Sequence, residues 1–292
     1  MNPLVMHFAS GWSFYSGIIL ILISIAISLF DKIFLLKIIF RVGIVLGILA
    51  VFSSSTPLHY LSPLMFTTIF IFLILAHLDN KVTRKILAGL RILITLLCSA
   101  AALMEVGSWI VPKLPQGNFD KFYVVGDSIS AGIGFQGEVV WSEVMSKQHG
   151  IKSVNLSVGG ATLSSAVSSA DGIKDEKAFV ILEIGGNDIL RRTSLKKFEE
   201  NLEKLLKKVC LPGRTVIMFE LPLPPFNSSF CVSQREICRK YGVFLIPRRI
   251  FAEILTGEMK SVDGLHLSNY GHAHMAETVW DIVKNDFKRR TE

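Results

Sequence analysis

The run Phe122-Tyr123-Val124-Val125-Gly126-Asp127-Ser128-Ile129-Ser130 moves from β-branched and aromatic residues, through one glycine, into small polar residues. A short apolar run of that kind reads as a buried strand, and the Asp-Ser pair after the break reads as the start of a helix. Four further runs of strand character follow: Ser153 to Leu156, Phe179 to Ile184, Val216 to Phe219 and Val243 to Ile246. Between the third and fourth, Leu195, Phe198, Leu202, Leu205 and Val209 recur at helical spacing with Lys and Glu on the opposite face. A last helical pattern runs from Asn269 to Phe287. Strand and helix in alternation predict an α/β unit with a parallel sheet and helices on both faces.

Parallel sheets bind ligands beyond the carboxyl ends of their strands. The small and polar clusters fall at those ends: Gly126-Asp127-Ser128, Gly159-Gly160 and Gly185-Gly186-Asn187-Asp188. Ser128 alone could serve as a helix cap, and a serine hydroxyl is a weak nucleophile without a base. Asp263-Gly264-Leu265-His266 supplies one, because a carboxylate at loop spacing can hold Nδ1–H and leave Nε2 to take a proton from Ser128. Ser128 N–H, Gly160 N–H and the Asn187 side-chain amide are the candidate donors to an oxyanion. Asn187 and Asp188 could instead cap the helix that follows them. His272 and His274 form an H-x-H pair with no third ligand, so neither metal nor cofactor is expected.

These four clusters, in this order, resemble the sequence blocks of the SGNH hydrolases, also called GDSL esterases/lipases. Ile129 stands where leucine is common, and the register from Asn155 favours Gly160 over Gly159 in the second block. The likeness spans nearly all of residues 121–287, and Glu183 to Asp188 is especially similar to the lysophospholipase/thioesterase branch. It implies a three-layer α/β/α sandwich of SGNH/flavodoxin-like type, with Ser128, Gly160, Asn187 and His266 as the signature residues and Asp263 as the acid partner.

The first part of the chain is of another kind. Residues 1–111 hold seven Lys/Arg and three Asp/Glu, against 24 and 21 in residues 112–292. The predicted organisation is a transmembrane region over 1–111, a linker over 112–120 and the hydrolase domain over 121–292. Four apolar runs, Phe14 to Phe30, Ile38 to Ser54, Leu64 to Leu78 and Ile86 to Val111, predict about four membrane helices, the second and third of them short. No Lys or Arg precedes the first run and no small-residue cleavage site follows it, so it reads as a retained helix rather than a signal peptide. Lys32 and Lys37 lie between the first and second runs, with Arg41 in the first turn of the second, and Lys81, Arg84 and Lys85 lie between the third and fourth, with Arg91 in the second turn of the fourth. Positive loops stay cytoplasmic, which puts both termini, and the hydrolase domain, on the periplasmic or extracellular side of a bacterial inner membrane. Of four cysteines, Cys98 is in the fourth run, and an oxidising compartment permits one disulfide among the rest, with Cys231 and Cys238 the candidate pair.

Basic residues in the second part alternate with acids, which argues against nucleic acid as a partner. The expected partners are an acylated small molecule, glycan or lipid as substrate, and the bilayer through the N-terminal helices. The leading expectation is a membrane-anchored serine esterase that deacylates, by preference deacetylates, a membrane-proximal glycan or lipid. An O-acetyltransferase with the same Ser-His site and a lysophospholipase/thioesterase are the alternatives. A catalytically silent binding module is disfavoured because every catalytic position is filled. The loop Leu221 to Phe226 is the expected lining of the acyl pocket.

Overall fold

A computed structural model describes residues 3–30, 33–57, 62–78, 81–256, 259–263 and 265–287; Lys32 and Gly264, named above, lie outside them. The chain divides into two compact units, one built chiefly from His7–Ile110 and one chiefly from Val111–Leu223 and Ser229–Glu292.

In the N-terminal unit a short α1 (Pro3–Ala9) precedes four apolar helices, α2 (Trp12–Ile27), α3 (Phe34–Ser53), α4 (Ser62–Leu75) and α5 (Lys81–Val106). Among the described residues two helices are long and apolar enough to cross a bilayer, Phe34–Ser53 and the stretch Val82–Trp109, whereas Trp12–Ile27 and Pro63–Leu75 are shorter. The expectation that the second run is a short one is corrected here. Phe34, Leu35 and Leu36 extend that helix at its start to 20 residues, roughly the 30 Å of a hydrocarbon core. The first run forms a helix of 16 residues that ends three residues earlier, at Ile27, and begins two residues earlier, at Trp12 after the left-handed Gly11. At its other end Arg91 donates to the Ser28 carbonyl and hydroxyl, both at 3.0 Å, a cation on the carbonyl end of the helix. A Cβ on Gly17 would stand 2.7 Å from the Gly47 carbonyl, so the absence of side chains lets α2 and α3 approach closely. Inward residues such as Phe14, Ile21, Ile44 and Phe72 are buried, yet Ile19, Leu46, Phe70 and Leu103 are exposed. Helices apolar on all sides are those that meet more apolar surroundings than water.

The second unit is a five-stranded parallel sheet in the order β2-β1-β3-β4-β5. Its strands are β1 (Lys121–Gly126), β2 (Lys152–Asn155), β3 (Ala178–Glu183), β4 (Arg214–Phe219) and β5 (Phe244–Ile246), each within two residues of the sequence expectation. Alternate residues face opposite ways along a strand. Tyr123, Val125, Val180, Leu182, Val216 and Met218 therefore join one core. Phe122, Val124, Phe179, Ile181, Ile217 and Phe219 join the other. The first core is covered by α8 (Leu163–Ser169), α10 (Leu195–Val209) and α11 (Ser228–Tyr241). The second is covered by α7 (Trp141–His149), α12 (Arg248–Leu255) and α13 (Asn269–Val283). Two one-turn helices, α6 (Ser128–Ala131) and α9 (Gly186–Leu190), follow β1 and β3.

The helix predicted from Leu195 to Val209 has those bounds, because Ser194 accepts from Lys197 N–H at its start and Phe198, Leu202, Leu205 and Val209 line its inner face. Each such side chain, fully buried, contributes roughly 1.5–3 kcal/mol of transfer free energy. Phe119, placed in the linker by the sequence, is buried among Phe122, Phe179 and Phe287, and its N–H donates to the Asp286 carbonyl at 2.8 Å.

Two expectations fail. Cys231 and Cys238 are not disulfide bonded. They lie seven residues apart on α11, a rise of roughly 10 Å that exceeds disulfide reach, and their sulfurs meet Glu220 and Met218 instead. Leu221 and Leu223 cannot line an acyl pocket, since both are buried in the first core.

Candidate active site

The strand order reverses between β1 and β3, whose neighbouring carboxyl ends make the crevice where sheets of this topology bind ligands. Ser128 follows β1 and Asn187 follows β3. A Cβ on Gly126 would lie 2.9 Å from both the Glu183 carbonyl and Ser130 Oγ, so only glycine lets the two strand ends close up.

The helix-capping role weighed for Ser128 belongs to Asp127. Its Oδ1 accepts from Ile129 N–H at 3.0 Å, and Ser128 is the first helical residue with its hydroxyl uncommitted to the backbone. Ser128 Oγ lies 3.1 Å from His266 Nε2. His266 Nδ1 lies 2.7 Å from Asp263 Oδ2. The Asp263 loop is closed by an antiparallel bridge between Ser261 and Leu267, and Asp263 Oδ1 accepts from the N–H groups of Leu265 at 2.9 Å and His266 at 2.8 Å. The His266 N–H, then its ring, then the Leu265 N–H hold the Asp263 carboxyl well below the usual carboxylate range. An ionised Asp263 requires the ring proton at Nδ1, and that tautomer leaves the Nε2 lone pair facing the serine hydroxyl.

The candidate oxyanion donors are tied to one another. Asn187 Nδ2 donates to Asp127 Oδ2 at 3.2 Å and to the Ala161 carbonyl at 3.0 Å, linking the clusters after β1, β2 and β3. Gly160, with φ of +71°, lies in a turn closed by Ala161 N–H to the Val158 carbonyl at 3.0 Å. A left-handed residue at the third position is the mark of a type II turn, where glycine fits without strain. Among the described residues, neither Ser128 N–H nor Gly160 N–H is hydrogen bonded. Asp188, weighed as a cap of its own helix, instead accepts from Leu163 N–H at 2.8 Å and serves the first turn of α8.

Beneath the site lies a buried polar layer that sequence reasoning missed. Glu183 Oε2 accepts from Ser130 Oγ at 2.8 Å, Ser130 Oγ accepts from the Trp141 indole at 3.0 Å, and Asn155 Nδ2 donates to the Ser130 carbonyl at 2.8 Å. Burial pushes the Asp127 carboxyl up to about 6. Burial, reinforced by the Asp127 charge, raises Glu183 above the usual carboxylate range. The only trace in sequence is an acid at the end of an otherwise apolar strand. His272 is bound into the same region: Nδ1 accepts from Trp141 N–H at 3.3 Å and Nε2 meets Glu138 at 3.2 Å. Burial lowers its pKa, so the ring is neutral with Nε2–H toward Glu138. Its two nitrogens are thus spent on structure, which answers the H-x-H pattern.

A serine hydroxyl, an imidazole and a carboxylate in hydrogen-bonded series, with free N–H groups at one sheet edge, have counterparts among known proteins. The model of the GDSL-like lipase/acylhydrolase family matches residues 124–274. Esterase TesA of Pseudomonas aeruginosa is 27% identical over 175 residues, 55% of this chain and 86% of that protein. The arylesterase of Vibrio mimicus is 27% identical over 179 residues, 57% of this chain and 90% of that protein. Thioesterase 1/protease 1/lysophospholipase L1 of Escherichia coli is 24% identical over 156 residues, 50% of this chain and 75% of that protein. The crystal structure of TesA covers 56% of this chain and 98% of its own, at 25% identity and a TM-score of 0.50. The matched region contains the whole serine–histidine–aspartate series and both of the glycine clusters, and on that ground the chain belongs to the GDSL-like lipase/acylhydrolase family and is a carboxylic ester hydrolase.

Proposed function

We propose that this hydrolase is a membrane-anchored serine esterase that deacylates a membrane-proximal glycan or lipid, with its catalytic unit on the periplasmic or extracellular side. Ser128 Oγ attacks the ester carbonyl while His266 Nε2 takes its proton, and Asp263 holds the ring and stabilises the imidazolium. Ser128 N–H, Gly160 N–H and the Asn187 amide bind the oxyanion; the Asn187 hydrogen now spent on Asp127 turns to the developing charge. Collapse expels the alcohol with the proton from His266 and leaves acyl-Ser128, which water, activated by the same histidine, hydrolyses. The observation that carries this reading is the relay of 3.1 Å from Ser128 to His266 and 2.7 Å from His266 to Asp263. Anchoring is supported by the two helices of spanning length and by the basic residues that gather at the start of α3 and the start of α5.

The experiment is labelling of intact cells by a membrane-impermeant fluorophosphonate. The expected result is a labelled band of the full chain in the membrane fraction, absent from Ser128→Ala and His266→Ala. Labelling that survives Ser128→Ala refutes the nucleophile, and labelling only after lysis refutes the topology. One observation favours a second reading, a lysophospholipase/thioesterase. Ile133, Val158 and Leu265, in loops beside the site residues, and Leu190, at the end of α9, are exposed large apolar side chains suited to an acyl chain longer than acetyl.

A further inference from the structure

The loop that carries Gly160 has little of its own to hold it. Gly159 and Gly160 are adjacent, and a Cβ on Gly159 would meet nothing within 4 Å, so no packing confines Gly159. Glycine pairs have the widest backbone freedom of any sequence, and a donor that must point at one place cannot be left with it. On its upstream side the loop hangs from β1, through Val158 N–H to the Gly126 carbonyl at 3.1 Å.

On its downstream side three side chains from one short segment grip it at successive points. Arg191 Nη2 donates to the Gly160 carbonyl at 2.9 Å, Asn187 Nδ2 to the Ala161 carbonyl at 3.0 Å, and Asp188 Oδ2 accepts from Leu163 N–H at 2.8 Å. Asn187 and Asp188 are in α9, and Arg191 is the residue that ends it. Arg191 follows Asn187 by four residues, one helical turn, which brings both donors to the same side of the segment. A Cβ on Gly160 would stand 3.3 Å from Arg191 Nη2, so the guanidinium lies directly against the glycine.

We infer that Arg191 is a positioning residue of this esterase, locking the Gly160 carbonyl so that the Gly160 N–H stays aimed at the oxyanion. The lock couples two oxyanion donors, since the segment that carries Asn187 also holds the peptide beside Gly160. Guanidinium suits the task because it keeps its charge at any pH and presents several N–H groups in a fixed plane. The inference rests on the esterase reading of Ser128 and Gly160 given above.

The test uses the full chain in detergent and a neutral substrate, p-nitrophenyl acetate. Arg191→Ala should lower kcat about tenfold with KM nearly unchanged, the mark of an interaction that matters in the transition state. Arg191→Lys should recover part of the loss. Millimolar guanidinium added to Arg191→Ala should raise its turnover and leave the wild type unaffected. Arg191 is exposed, so folding of these variants, followed by thermal unfolding, should be close to wild type. Unchanged kcat in Arg191→Ala, with Ser128→Ala inactive, overturns the lock and leaves the esterase reading standing. A loss confined to KM and seen only with a carboxylated ester would make Arg191 a substrate-binding group, and also overturns it. If Arg191→Ala is unstable, failure of both lysine and guanidinium to restore turnover counts against the lock. Full activity of Ser128→Ala would instead remove the reading beneath it.

Discussion

Replacing Asp263 by asparagine should cost more activity than replacing it by alanine. The carboxylate divides its work: Oδ1 accepts two backbone N–H groups, at 2.9 and 2.8 Å, and Oδ2 accepts the imidazole at 2.7 Å. Asparagine has one acceptor for these three donors. Placing its oxygen on the two backbone groups and its NH₂ on Nδ1 keeps three hydrogen bonds where the flipped arrangement keeps one, a difference of about 2–3 kcal/mol or roughly 30- to 150-fold in population. The amide NH₂ then faces Nδ1, which must give up its proton. The proton moves to Nε2, and the ring can no longer accept from Ser128. Alanine imposes no such tautomer, and because the Asp263 side chain is half exposed, water replaces it at Nδ1. The expected fall in kcat is on the order of 10³-fold for Asp263→Asn and about 10- to 10²-fold for Asp263→Ala, each with little change in KM. Steady-state hydrolysis of p-nitrophenyl acetate by the full chain, across the titration range of histidine, measures both. If the asparagine variant is as active as the alanine variant throughout, the tautomer argument is wrong.

The buried layer makes two further predictions. Ser130→Ala deprives both Glu183 and the Trp141 indole of a partner in a fully buried place, which should cost about 2–4 kcal/mol and lower Tm by roughly 5–15 °C; an unchanged Tm would show that the layer contributes nothing. Glu183 and Asp127 hold their protons more tightly folded than unfolded, so the folded state binds more protons from about pH 4 upward. The stabilisation they give is complete below that point and is lost as pH rises through about 6 and beyond. Glu183→Gln should flatten this decline in Tm, and an unaltered slope would refute the assignment.

What the sequence revealed and what it hid have separate physical causes. Strand positions and α10 were legible because burial on a sheet face or helix face repeats at short, fixed spacing. Ser128, Asp263 and His266 could be picked out because each sits at a strand end or in a short loop, and the spacing of Asp263 and His266 pairs an acid with a base that the serine would need. The partners of Arg191 and Glu183 were not legible: Glu183 meets Ser130 across 53 residues, and Arg191 meets Gly160 across 31, contacts that exist only once β1 and β3 pair and the β2 loop closes over them. The cysteine pair failed for a related reason. Their spacing carried no information until α11 fixed them two turns apart. Leu221 and Leu223 look like pocket residues in sequence because apolar character alone does not distinguish a wall from a core.

The cap at Asp127 separates two duties that a serine at a helix start would otherwise combine. With the backbone served by its neighbour, the hydroxyl of residue 128 is left for the proposed reaction, and the architecture around it does not depend on what hangs there. A thiol, or a bare methyl group, can occupy that position without the fold registering the exchange. The scaffold is therefore open to a change of nucleophile by single substitution, and diversity of chemistry at this point of the chain can accumulate without any drift in shape.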